Sequence, residues 1–285
     1  DHNAEWRERY QGVSGKDSSG SRGNVGSAIA VAQGVGAAVD LMDDAWWGGS
    51  IPSPTPDGSA MFLVSERSMP HSIIVDASGS RFANESESYV DLGHHMFERF
   101  ATVPGTCWMV TDVRHTRKYL RSYAMDPRAT KAMAEAGIMV KAPTLDELAR
   151  RMRVDVSSLK ATVDRFNGFC RAGVDEDFAR GNSAYDRYYG DPLVHPNPNL
   201  GTLEKGPFTA VQVVPGDLGT KGGLVSDEHA RVLREDGTVI EGLYVSGNNS
   251  ASVMGRTYPG PGSTLGPAAV FGYLAARHIA TTTKG

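Results

Sequence analysis

The sequence predicts a mixed α/β fold that carries an inserted α+β region, and three observations lead there. A strand–loop–helix stretch from Gly242 to Ile279 closes the chain. The middle of the chain mixes capped, one-faced helical patterns with short β-branched runs. Glycine and proline, 33 and 15 of the 285 residues, cluster between these patterns and mark the loops.

Gly12 to Gly26, with serines between, reads as a loop. Ala28 to Leu41 follows, small and apolar with Gly34 and Gly36, as a helix that packs closely on a neighbour. Asp43 to Pro56, rich in Trp, Gly and Pro, reads as a second loop. Ser72 to Asp76 holds the run Ile73-Ile74-Val75 before Ala77-Ser78-Gly79, a strand entering a tight turn. Asp91 to Phe100 predicts a short helix, Cys107 to Thr111 a strand and Ala129 to Ala136 a helix. Thr144 with Glu147 three residues on is a capping-box pattern, starting a helix that reaches Met152. Val156 to Ala172 repeats the idea, with Ser157 or Ser158 near the cap and Leu159, Val163, Phe166 and Phe169 on one face. Asp175 to Asp191 is polar and aromatic, and Pro192 to Pro198 is irregular. Val211 to Val214 reads as a strand, followed by Pro215-Gly216. Val232-Leu233 and the turn Glu235-Asp236-Gly237 predict a hairpin, and Gly242 to Ser246 a buried strand. The last helix runs from Pro267 to Ile279, its proline in the first turn where a missing N–H does no harm.

Composition narrows the function. Hydrophobic residues make up 40% and charged residues 22%, enough for one or two domains with a large core. A net charge of -4 points away from a nucleic-acid partner. No stretch approaches the ~20 apolar residues that span a bilayer. Cys107 and Cys170 fit no metal spacing and no disulfide framework, so both read as small buried hydrophobes in a reducing compartment. That implies a cytoplasmic location, with association to a membrane as the alternative. The eight histidines show no metal pattern, and the neighbours His94 and His95 point apart on a helix. Glu66-Arg67 and the cluster Arg150-Arg151-Arg153 read as solvated faces. The chain starts at Asp1 with a polar run, and we read that start as the cut end of a longer polypeptide.

Chemistry concentrates between Gly242 and Ala276. A strand ends in Gly247, a loop carries Tyr258-Pro259-Gly260-Pro261-Gly262, and a helix begins near Gly266-Pro267. Backbone N–H groups at such a loop and helix start can bind an oxyanion or a carbonyl. On glycine content alone a tight structural turn is the favoured reading.

The order of motifs changes that balance. NNSASVMGRTYPGPGSTLGPAAVFGYLAA (Asn248 to Ala276) resembles the C-terminal segment of the 3-ketosteroid Δ1-dehydrogenases, flavoenzymes of the succinate dehydrogenase and fumarate reductase flavoprotein superfamily. The run Val214 to Thr220 with Gly222-Gly223, the run Tyr185 to Pro192, GAAVDLMDDAWW (Gly36 to Trp47) and RFANESESY (Arg81 to Tyr89) fit the same family, in the same order. The resemblance implies the later part of a Rossmann-like FAD-binding domain with an inserted α+β substrate domain. Residues 1–49 and 220–285 would belong to the first and residues 50–219 to the second.

The resemblance also implies roles. Tyr258 and Gly262 would donate their hydroxyl and backbone N–H to the steroid C3 carbonyl, where such donors are worth about 3 kcal/mol apiece. Tyr89 would take the C2 proton, although a free phenol with a pKa near ~10 needs help to act as a base. The C1 hydride would pass to FAD, held by Gly247, Asn248, Leu265 and Gly266. Phe62, with Met61, Met69, Tyr89 and Met254, would suit a flat apolar substrate, although for the methionines a core role is favoured. Where the family has an acidic Gly-Asp-Gly-type motif, near Asn24-Val25-Gly26, Ser27-Ala28 stands instead. No G-x-G-x-x-G turn follows a strand near the start. Expected partners are a steroid, an external electron acceptor and the missing N-terminal FAD-domain segment, with no metal. The alternatives are a flavin-free steroid-binding module and a related flavoenzyme, either a ketosteroid Δ4-dehydrogenase or fumarate-reductase-like.

Overall fold

Helix α1 (Ala4–Gln11) starts where the Asn3 side chain accepts the N–H of Trp6, in a computed structural model that describes residues 1–55, 58–119 and 127–282. Helix α2 (Ser27–Gly34) covers the small apolar stretch but stops at Gly34, and strand β1 (Val39–Asp40) follows. The expected second loop is instead strand β2 (Ala45–Ile51), with all seven residues buried. Its two glycines mark close contact. A Cβ at Gly48 would collide with the Phe62 ring, and one at Gly49 would lie 2.9 Å from Val213 Cγ1.

Two compact units divide the chain, Asp1–Trp47 with Asp217–Gly285 in the first and Gly48–Gly216 in the second. In the second unit come β3 (Met61–Phe62), β4 (Ser72–Val75), α3 (Tyr89–Thr102), β5 (Cys107–Thr111), α4 (Val113–Lys118) and α5 (Pro127–Glu135). After them come β6 (Met139–Ala142), α6 (Leu145–Met152), α7 (Val156–Ala172), α8 (Ala184–Tyr188) and β7 (Phe208–Thr220). The sheet runs β3-β2-β7-β5-β4, with β6 also paired to β7. Alternation along β4 divides the core. Ile73 and Val75 join Leu148, Met152, Leu159, Val163 and Phe166 of α6 and α7, whereas Ile74 joins Leu92 and Met96 of α3. The cap of α6 is Thr144, as read from the sequence, accepting the N–H of Glu147. For α7 the cap is Asp155 rather than Ser157 or Ser158, because its carboxylate accepts the Ser158 N–H.

The RFANESESY segment anchors a buried ion network in the second unit. The Arg81 guanidinium lies 4.9 Å and 5.1 Å from the ring centres of Phe166 and Phe178. It donates to Glu85 at 2.7 Å and to Asp175 at 2.8 Å. Arg180, with no exposed surface, donates to Glu85 at 3.1 Å and to the carbonyls of Ser72 and Met69. Asn84 donates to Asp186 at 2.9 Å, tying this segment to Tyr185–Pro192. Arg67 is fully buried, which corrects the solvated-face reading: its guanidinium donates to the carbonyls of Leu63 and Glu85.

In the first unit β8 (Gly223–Leu224) pairs with β1, and β9 (Arg231–Leu233) pairs with β10 (Val239–Tyr244) as the expected hairpin. The strand expected at Gly242 to Ser246 is the end of β10, which stops at Tyr244, but it is not buried: Gly242 is exposed and only Val245 is buried there. The small core joins Ile29, Ala32, Leu224, Val232, Ile240 and Val245. Helix α9 (Leu265–Thr282) contributes no buried residue, and Leu265, Val270, Tyr273 and Ile279 are exposed.

Candidate functional site

In the first unit the chain leaves β10 into a 3-10 turn at Gly247–Asn249, where Gly247 takes φ 69°, a left-handed value that favours glycine. The loop then reaches Tyr258, whose ring meets the edge of Trp46 at 5.8 Å between centroids. Four residues on, Gly262 has φ 99° and faces open space: a Cβ there would meet nothing within 4 Å. Its N–H makes no hydrogen bond among the described residues. Gly266 is equally open, but its N–H donates to the Gly262 carbonyl at 2.8 Å. What Gly266 offers a ligand is therefore bare backbone surface, not an N–H, a correction to the free helix-start donors read from the sequence. Leu265 is 78% exposed. Gly247 and Asn248 line a cavity of about 220 Å³ together with Trp46, Lys221, Thr264 and Pro267. A second cavity of about 290 Å³ in the same unit is lined by Asn24 to Ala28, Arg7, Gly222 and again Asn248.

Three residues given no role in the sequence reading stand behind this loop: Lys221, and Asp44 and Trp46 of the GAAVDLMDDAWW motif. Lys221 is fully buried, its ammonium 3.4 Å from Asp44, 4.7 Å from the Trp46 ring centre and 3.2 Å from the Thr257 carbonyl. The only signal was the run Lys221-Gly222-Gly223 after a strand, which does not show where a long side chain turns.

In the second unit Tyr89 opens α3 and is 4% exposed. The Phe62 ring meets it edge-on at 5.2 Å and lies over the bare Cα of Gly48. Met61 and Met69 are half-buried in this unit, whereas Met254 belongs to the first. Gly48→Ala forces the Phe62 ring aside, and overpacking of this kind costs about 1–3 kcal/mol. Adding Phe62→Leu to Gly48→Ala is expected to recover part of that loss in urea unfolding. A double variant no more stable than Gly48→Ala would contradict the contact.

Two residues before Tyr89, Glu87 accepts from His95 Nδ1 at 2.8 Å. Burial raises the Glu87 carboxyl above its ordinary 4.5, and the hydrogen bond to Glu87 raises His95 above its ordinary 6.5. Both shifts have one sign: the folded unit holds protons that the unfolded chain releases. Each contribution is fully present below the ordinary value and is lost as pH rises through the raised one. Burial lowers His71 and His115 in the same unit, which adds stability as pH rises toward their ordinary 6.5, so the pair is read by difference: Glu87→Gln should make the slope of the urea midpoint with pH more positive than in the parent. An unchanged slope in the variant would remove the pair from the account.

Cys107 and Cys170 are free and buried, and burial pushes both thiols up to about 12, which makes them inert. Among the described residues no group of His, Cys, Asp and Glu is arranged to hold a metal. No helix among them is long and apolar enough to cross a membrane.

A family model described as an FAD binding domain matches residues 2–265. A 3-oxosteroid 1-dehydrogenase of Mycolicibacterium smegmatis is 48% identical over 99% of this chain and 51% of that protein. A 4-oxocyclohexanecarboxylate 2-dehydrogenase of Sinomonas cyclohexanicum is 42% identical over 92% of this chain and 46% of that protein. Among solved structures, the 3-ketosteroid Δ1-dehydrogenase from Sterolibacterium denitrificans, in complex with 1,4-androstadiene-3,17-dione, matches with a TM-score of 0.90 at 40% identity. That match covers 99% of this chain and 51% of the other. The chain thus spans about half the length of these relatives.

Proposed function

The chain belongs to the FAD binding domain family, and on that premise we propose that it is the later portion of an FAD-dependent 3-ketosteroid Δ1-dehydrogenase. One observation carries the reading: Tyr258 is backed by Trp46 and stands four residues before a glycine whose Cα faces open space and whose N–H makes no hydrogen bond among the described residues. The first unit serves as part of the cofactor domain and the second as the substrate domain. FAD fits the first unit, because Gly262 and Gly266 leave open surface and Gly247 and Asn248 line a cavity beside them. Gly247, Asn248, Leu265 and Gly266 would hold it. When bound, FAD supplies the acceptor for the hydride that leaves steroid C1.

The chain's own residues do the rest. Tyr258 O–H and Gly262 N–H donate to the C3 carbonyl oxygen, where negative charge builds as the C2 proton leaves. Tyr89 acts as its phenolate, taking that proton on the phenol oxygen and becoming the neutral phenol. Its burial against Phe62 excludes water from the base and sets its ring angle. An external acceptor would take up the electrons that FAD receives, and the N-terminal segment of the relatives would be the partner that completes cofactor binding. The exposed apolar residues of α9 are consistent with such a partner. Two buried free thiols accord with a cytoplasmic location.

A second reading, that the substrate is a smaller cyclic ketone, rests on the 42% identity to the 4-oxocyclohexanecarboxylate enzyme. One experiment separates them. The chain is loaded with FAD, desalted, and its visible spectrum recorded before and after anaerobic addition of 4-androstene-3,17-dione. Bleaching by the steroid supports the first reading, and bleaching by 4-oxocyclohexanecarboxylate alone supports the second. A retained band that neither ketone bleaches sinks both. Flavin lost on desalting should return when the N-terminal segment is added. If it does not, the chain is at most a flavin-free steroid-binding module.

A further inference from the structure

We propose that Lys221 is a positioning residue for Tyr258, holding the tyrosine's loop and its aromatic neighbour through one buried ammonium. The inference rests on the reading of Tyr258 as the carbonyl donor and deepens it.

The loop from Ala251 to Ser263 contains no helix or strand. Its backbone hydrogen bonds are mostly local: Gly255 to Ser252, Thr257 to Met254, Ser263 to Gly260. Its backbone bonds to other segments, Ala251 to Leu224 and Ser252 to Lys221, lie at its first two residues, so the stretch around Tyr258 can tilt as a body and needs a long-range hold of its own. Lys221 supplies one by donating to the carbonyl of Thr257, the residue before Tyr258, at 3.2 Å. The same ammonium lies 4.7 Å from the centre of the Trp46 ring, which in turn packs edge-on to Tyr258. Backbone bonds fix Lys221 itself. Its N–H donates to the Asp44 carbonyl at 3.1 Å, and its own carbonyl accepts from Ser252 at 3.0 Å. A buried ammonium is costly unless charge-paired, and Asp44, 1% exposed, lies 3.4 Å away. Arg256 reaches Asp43 nearby, but that pair is exposed and weakly constraining.

A surface lysine could not do this, because water would screen its charge and its stem would stay mobile. A plain fold staple would need no contact with both the Thr257 carbonyl and Trp46. Lys221 touches both and nothing in it faces solvent.

The test combines rates with a signal from Tyr258 itself. In the flavin-loaded chain, Lys221→Met is expected to lower kcat about tenfold and to change KM by less than about twofold. Added to Tyr258→Phe it should cost less than about twofold more, since the group it positions is gone. Fluorotyrosine placed at position 258 of the flavin-free protein gives a fluorine resonance. Lys221→Met should broaden that resonance and move it toward the free amino acid. Because Asp44 loses the Lys221 ammonium in this variant, Trp46→Phe provides a second route that leaves the ion pair intact, and the same pattern is expected. Fully additive rate losses with an unmoved resonance in both variants overturn the proposal. If Tyr258→Phe keeps the full rate, the donor reading fails, and the resonance alone decides whether Lys221 positions the ring.

Discussion

Tyr258→Phe lowers the rate of steroid-dependent flavin bleaching by about 10²–10³-fold, the loss that follows removal of one donor from a developing oxyanion. The variant isolates the hydroxyl, because Trp46 packs on the ring itself and the Lys221 bond is to the Thr257 backbone, both of which a phenylalanine at 258 keeps. The loss should appear in the single-turnover rate at saturating steroid and leave affinity nearly unchanged, since a ground-state ketone gains less from the donor than an enolate does. Gly262→Ala should differ. Its φ of 99° strains any L side chain, and the methyl would occupy space that is open to the ligand. Affinity and rate should therefore fall together. A Tyr258→Phe rate within about threefold of the parent would remove Tyr258 from the chemistry.

The contrast between these two residues and their supports shows what a sequence displays. Tyr258 and Gly262 are neighbours in one loop, so their spacing survives in the chain as text. Lys221, Trp46 and Asp44 reach the same loop from elsewhere, and only folding brings them together. Secondary structure follows the same rule. Strand β5 and helices α6 and α7 were legible because local patterns decide them: an apolar run, a Thr144 cap, a one-sided apolar face. Strand β2 was not, because Gly48 and Gly49 look like a loop until Phe62 and Val213 press against them. Strand β7 also runs through Pro215-Gly216 to Thr220, well past the four residues with a strand pattern of their own. Arg67 read as surface for the same reason: its partners, the carbonyls of Leu63 and Glu85, carry no side-chain signature.

The largest stability loss should come from Glu85→Gln, although Glu85 touches no proposed substrate atom. Three arginines (Arg67, Arg81 and Arg180) and two carboxylates (Glu85 and Asp175) are buried together in the second unit. Glu85 is the shared acceptor, taking two bonds from Arg81, one from Arg180 and the backbone N–H of Ile74. Burial alone would raise its carboxyl, but Arg81 and Arg180 outweigh burial and hold it below the ordinary 4.5. A glutamine of the same shape keeps some hydrogen bonds but leaves Arg180 without its carboxylate partner, and breaking a buried pair costs about 3–5 kcal/mol. Arg165→Ala, which breaks an exposed pair with Asp177 in the same unit, should cost far less, because water screens that pair. The sign of the pH effect follows from the lowered carboxyl. Its stabilisation is complete above the ordinary glutamate value and is lost as pH falls through the folded one, so the acid loss should be smaller in Glu85→Gln than in the parent, the remainder coming from Asp76 and Asp175, which are also held low. Urea unfolding at neutral and at acid pH measures both effects. Equal losses for Glu85→Gln and Arg165→Ala would mean that this network spans the motif without holding it.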